Sequence, residues 1–198
     1  IVGYRNRMRA AGRARAAARA QANQAFRDAV APARQALVAA LAAATSGPQR
    51  RAAKIAYGDA ILPAKVARKA ALQSARIDYV EAAEQARIDF LTIRGAHPEV
   101  VASARYRQAV NLATAEYRAA VTDAQATFRI QSAPIRITTR TAGSSASAGQ
   151  VSHGAAESIR IATADITGVF RSQVSSARAT YQAKISVARK ILGTSLAT

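Results

Sequence analysis

For the commonest nucleophile, base and zinc chemistries this chain offers two histidines, His97 and His153, and no cysteine. His97 precedes Pro98, and His153 lies between Ser152 and Gly154. His97 is most simply a surface residue and nothing pairs His153 with a nucleophile, so no catalytic residue, metal ligand or cofactor is expected. Four carboxylates, Asp78, Glu81, Glu84 and Asp89, stand close enough together for acid–base work or for a hard cation. They alternate with Arg76 and Arg87 at helical spacing, which favours ordinary ion pairs worth a few tenths of a kcal/mol each. The small-residue run Ala142–Gly149 lacks the lysine and the preceding buried strand of a phosphate-cradling loop. These residues point away from an enzyme.

Arginine is the other chemical resource. The 198 residues hold 24 arginines and five lysines against eleven acids, giving a net charge of +18 and a pI near 11.6. Such a balance is the signature of a polyanion partner. Residues 1–54 carry ten arginines and Lys54 against a single acid, Asp28. At about 100° per residue, Arg5, Arg9, Arg13, Arg27 and Arg34 fall in one narrow sector of a helix, with Arg7 pointing away. Arg50, Arg51 and Lys54 form a second cluster. The guanidinium fork suits successive phosphates. No helix-turn-helix, finger spacing or platform of exposed aromatics is visible, so contact with nucleic acid is expected at the backbone and independent of base sequence. The competing reading is that these arginines pair with acids on a partner subunit.

Long helices are what must position those arginines. Tyr106, Tyr117 and Phe128 stand eleven residues apart; Ile159, Phe170, Tyr181 and Leu192 keep the same beat, as do Tyr79 and Phe90, and Phe26 and Leu37. Phe26, Tyr106, Tyr117 and Phe170 each open the pattern aromatic-Arg-x-x-Val. A stripe at 0, 4, 7 and 11 averages about 3.67 residues per turn, close to a relaxed α-helix. The predicted fold is therefore all-α: three to four long helices with eleven-residue (hendecad) repeats, an elongated bundle and one extended Gly/Ser-rich connection. Phe26, Tyr79, Phe90, Tyr106, Tyr117, Phe128, Phe170 and Tyr181 form the packing stripe and are expected to be buried.

The predicted boundaries follow from breakers. Residues 1–46 form a basic N-terminal helix kinked near Pro32 and stopped by Ser46-Gly47-Pro48. Residues 47–131 form a helical hairpin: a short piece from Gln49 to Tyr57 broken near Gly58, a long helix from Pro63 to Arg94 capped by Gly95, and another from Pro98 to Ile130. Pro134 is expected to end that helix. Residues 132–154 read as an extended, flexible linker, because Ile135–Thr141 alternates like a strand without a partner. Residues 155–198 hold the last helix, ending at Gly193. Alanine supplies most of the hydrophobic share, so the core is thin and an assembly of copies is expected.

Eleven-residue repeats also occur in helices that lie on lipid. Here the face is narrow and alanine-rich, so a membrane role is possible but not favoured. No uncharged run reaches the length of a transmembrane helix, and Gln35–Thr45 is too short. The opening residues lack the apolar core of a signal peptide, and a chain beginning at Ile1 points to processing or trimming.

The whole chain resembles the small internal virion proteins of short-tailed bacteriophages, which are packaged in the capsid and ejected with the genome. The likeness is carried by the Ala/Gln/Arg-rich first half, including Ala16-Ala17-Ala18-Arg19-Ala20-Gln21-Ala22-Asn23, the break from Ala142 to Gly149, a final helix rich in Arg, Gln and Tyr, and the ending Gly193-Thr194-Ser195-Leu196-Ala197-Thr198. It implies a non-enzymatic virion protein that assembles with its own copies and other virion proteins as a ring lining a DNA conduit. The chain lacks the apolar N-terminal segment of that family. It is also similar to helical capsid proteins of filamentous double-stranded DNA viruses, which implies the alternative of a coat or nucleoid-like protein wrapping duplex DNA. Either resemblance places the chain in a virion, and otherwise in the cytoplasm.

Overall fold

A computed structural model describes residues 2–145 and 153–196, with side chains for residues 2–135 and 157–194. Among the described residues five helices follow one another: α1 (Val2–Ala43), α2 (Gly47–Ala60), α3 (Leu62–Ile93), α4 (Pro98–Ser145) and α5 (His153–Leu196). Among the described residues there is no strand.

The punctuation works as physical chemistry dictates. Ser46 caps α2: its hydroxyl accepts from the Gln49 backbone N–H while the Gln49 side chain accepts from the Ser46 N–H at 3.0 Å, and Pro48 occupies the first turn. Gly95 takes a left-handed φ of 65° after α3, and its N–H donates to the Thr92 carbonyl. The His97 carbonyl accepts from Val100 and Val101 and starts α4.

Two expected breaks are absent and a third is displaced. Gly58 and Asp59 are helical, and α2 ends at Ala60 instead. Proline costs an interior helix about 3 kcal/mol, yet α4 runs through Pro134 to Ser145, so Ile135–Thr141 is helix, not extended arm. The whole β-propensity scale spans only about 1 kcal/mol, and a lone strand has nothing to pair with. α1 continues past Pro32, as expected for the basic N-terminal helix. Gly193 lies inside α5, which starts at His153 and continues to Leu196. The rest of the expected linker, residues 146–152, lies outside the described residues.

The chain divides into two compact units. Unit 1 gathers residues 1–23, 69–121 and 175–198, and unit 2 residues 24–68 and 122–174. In unit 1, α1 meets α3 antiparallel: Tyr4 packs on Phe90 with ring centres 5.1 Å apart, and the Arg15 guanidinium lies 5.0 Å over Tyr79. α3 meets α4 where the Asn111 amide donates to Glu84 at 2.6 Å and Gln108 to Gln85 at 3.3 Å. α4 meets α5 at Tyr117 and Tyr181, 5.4 Å apart. In unit 2, Arg68 lies 5.2 Å over Phe26, and Phe128 packs on Phe170 at 5.4 Å.

Residues two apart on a helix point about 160° from each other. Ala113 and Ala115, both 2% exposed, therefore cover opposite sides of α4. Ala113 shares its side with Tyr117, toward α5; Ala115 shares its side with Asn111, toward α3. In α1 and α5 the covered residues form one narrow stripe, such as Phe170, Val174, Ala177, Tyr181, Ile185 and Ala188. Unit 1 is thus built as helices side by side in the order α1, α3, α4, α5.

The buried core corrects the expectation for the aromatic stripe. Alanines fill it, with Ile61 and Ile88, while Phe26, Tyr79, Phe90, Tyr106, Tyr117, Phe128, Phe170 and Tyr181 are all half-buried. A methyl group lets two backbones approach closely. The rings cannot fit at that line of closest approach, so they pack beside it with one edge toward water.

Candidate nucleic-acid interface

The N-terminal arginine row falls in two groups. Arg5, Arg9 and Arg13 are exposed on α1 in unit 1, and none makes an ion pair or hydrogen bond among the described residues. In unit 2, Arg27 and Arg34 on α1 and Arg50, Arg51 and Lys54 on α2 are exposed as well. Arg27 donates to the Gln24 side chain, which in turn donates to Asp28 at 2.8 Å. Arg27 and Arg34 also line a cavity of about 770 Å³ beside Phe26, Val38 and Tyr57. An exposed guanidinium without an internal acid keeps all its donors for an external anion.

Two other arginines of α1 are spent inside unit 1. Arg7, which the sequence places away from the row, pairs with Asp89 of α3, and Arg15 covers Tyr79. A second interhelical pair joins Lys184 of α5 to Glu116 of α4. The two pairs have one form. Each cation stands three residues after a packing aromatic (Tyr4, Tyr181), and each acid stands one residue before one (Phe90, Tyr117).

The expected ion pairs within α3 do not form among the described residues. Asp89 goes to Arg7 and accepts from Gln85 at 2.8 Å, and Glu84 accepts from Asn111. Arg76 and Arg87 precede Asp78 and Asp89 by two residues, which sets each pair on opposite sides of the helix. Arg76 and Arg87 make no ion pair among the described residues.

His97 is exposed, with Nδ1 3.9 Å from a Glu99 carboxyl oxygen. His153 begins α5, and its side chain lies outside the described residues. Among the described residues no group of three His, Cys, Asp or Glu side chains could hold a metal ion, and no helix is long and apolar enough to cross a membrane. Among the described residues the one cluster with displaced ionisation is exposed: the bidentate bond from Arg160 holds Glu157 below the usual carboxylate range and raises Arg160 in turn.

Comparison with family models, curated proteins and solved structures gives no match. The site therefore rests on its own geometry.

Sequence reasoning missed Tyr4, Arg15 and Arg68 as packing residues. Tyr4, Arg15 and Phe26 step by eleven, as do Arg68, Tyr79 and Phe90, but arginine at an aromatic slot hides the beat. The signal was available, because arginine is the cation that stacks best on a ring.

Proposed function

We propose that this protein is a non-enzymatic, DNA-contacting structural protein that works as an assembly of copies and touches duplex DNA only through phosphate charge. The observation that carries the reading is the set of exposed arginines on α1, of which Arg5, Arg9 and Arg13 make no ion pair among the described residues. Backbone-directed contact asks for that arrangement and for little else. The setting follows from the resemblance to bacteriophage internal proteins: a virion protein of the ejection type, lining a conduit through which the genome passes.

The eleven-residue repeat sets the register of the helices in this reading. Tyr4, Arg15 and Phe26 advance by eleven while their partners Phe90, Tyr79 and Arg68 retreat by eleven. Tyr117 and Phe128 do the same against Tyr181 and Phe170. Helices with an eleven-residue repeat can extend side by side as staves, which suits a wall built from many copies.

Assembly is supported by exposed apolar side chains. Val38, Ile93 and Val187 are among the large apolar side chains left more than half exposed.

The test is competition. Unrelated duplexes of equal length should displace one another from the protein with equal affinity. Replacing Arg5, Arg9, Arg13, Arg27 and Arg34 with glutamine should weaken binding while helix content stays nearly unchanged, because glutamine is also a good helix former. Strong preference for one sequence would overturn the reading.

A further inference from the structure

The arginines that follow the packing aromatics form a second basic surface. In unit 1, Arg107 and Arg118 stand one residue after Tyr106 and Tyr117, while Arg178 and Arg189 stand eight after Phe170 and Tyr181. One step turns a helix by about 100° and eight steps bring it to about 80°, so both positions lie on the same flank of the covered stripe. On α3, Arg76 and Arg87 likewise stand eight after Arg68 and Tyr79.

Antiparallel neighbours whose stripes face each other are related by a twofold axis perpendicular to the layer. Equal offsets from the stripe therefore project from the same face. The ion pairs Arg7–Asp89 and Lys184–Glu116, at offsets of three and minus one, mark the opposite face. A cavity of about 660 Å³ shows that this paired face is common to all four helices, since Arg7, Asp89, Arg105 and Ile191 all line it. The other face of unit 1 then carries Arg76, Arg87, Arg107, Arg118, Arg178 and Arg189. The acids of unit 1 lie elsewhere: Asp89 and Glu116 on the paired face, Asp78 and Glu81 turned the same way on α3, Glu84 against α4, and Glu99 at the start of α4. Arg107, Arg118, Arg178 and Arg189 are exposed, Arg76 and Arg87 half-exposed, and none has an ion pair or hydrogen bond among the described residues.

We infer that this acid-free arginine face of unit 1 is a docking surface for the phosphate backbone of duplex DNA. The inference rests on the proposed DNA contact and extends it from the N-terminal row, whose Arg5 stands one residue after Tyr4 and so shares this face, to the other helices of unit 1. Adjacent helices lie about 8–10 Å apart, and residues eleven apart on one helix are about 16 Å apart. The face therefore presents guanidinium groups over an area, where a single helix offers a line. An extended polyanion can meet several rows at once, and the local absence of carboxylates removes the repulsion that an anion would otherwise feel.

The experiment measures the slope of log K against log salt for the full chain on a short duplex of mixed sequence. Arg107, Arg118, Arg178 and Arg189 are replaced together by glutamine in one variant, and Arg9 and Arg13 in another. The face variant is expected to lose about 3 to 4 from the magnitude of the slope, at about 0.9 per phosphate contact. A face variant with the slope of the parent, beside an N-terminal variant whose slope falls, overturns the arginine face and leaves the proposed function standing. Absence of duplex binding by the parent at low salt, including a protein that binds only anionic vesicles, overturns both. Modification of the unmutated protein by an arginine-selective dicarbonyl guards against misfolding of the variants. Duplex should protect Arg107, Arg118, Arg178 and Arg189 and leave Arg105, on the paired face, reactive; equal protection of Arg105 contradicts the inference.

Discussion

At the scale of single residues, alanine does the packing and the aromatics flank it. Ala113 is 2% exposed where α4 approaches α5, with Tyr117 and Tyr181 beside it. Ala113→Leu should overpack that line and cost about 1–3 kcal/mol, read as a fall in the urea midpoint, whereas leucine at the exposed Ala120 should change stability little. A second residue-scale prediction concerns acid. Arg160 lowers the ionisation of Glu157 in the folded chain. The support that this bond gives α5 is therefore present above the ordinary carboxylate value and lost as pH falls through the lowered one. Amide exchange in the first turns of α5 should quicken across that acid window, and Glu157→Gln should exchange quickly at every pH and show no such step.

At the scale of elements, the helix starts and stops were legible wherever a residue has one dominant local role. Ser46-Gly47-Pro48 closes α1 and opens α2, and Gly95 closes α3, because a capping hydroxyl, a first-turn proline and a left-handed glycine act over three or four residues. Gly95→Ala should cost about 1–2 kcal/mol from backbone conformation alone, since no heavy atom outside its immediate chain neighbours lies within 4 Å of where its Cβ would be. A loss well below that in thermal unfolding would mean that the turn relaxes. Pro134, Gly58 and Gly193 misled the sequence reading for the complementary reason. Each carries a penalty of a few kcal/mol at most, which a long helix absorbs when its turns on both sides stay bonded. The aromatic beat was legible, but its depth was not. Period fixes which side of a helix a ring takes, and only the distance between backbones decides whether it is buried. The N-terminal arginine row was read from charge density along one helix. The face made by Arg107, Arg118, Arg178 and Arg189 needs the antiparallel pairing of two helices, which no single stretch of sequence contains.

At the scale of the whole molecule, a net charge of +18 and an alanine core ask for two kinds of partner. In the proposed reading, apolar side chains such as Ile93, 78% exposed, meet further copies, and the exposed arginines meet phosphate. The charge argument is the one that names a ligand class, so it is the one to measure. Binding of the full chain to duplex DNA across a salt series is the most direct measurement. The five-arginine row on α1 alone predicts a slope of log K against log salt of roughly −4 to −5, and the arginine face makes it steeper. Duplex binding that is insensitive to salt, or no binding at low salt, would contradict the account.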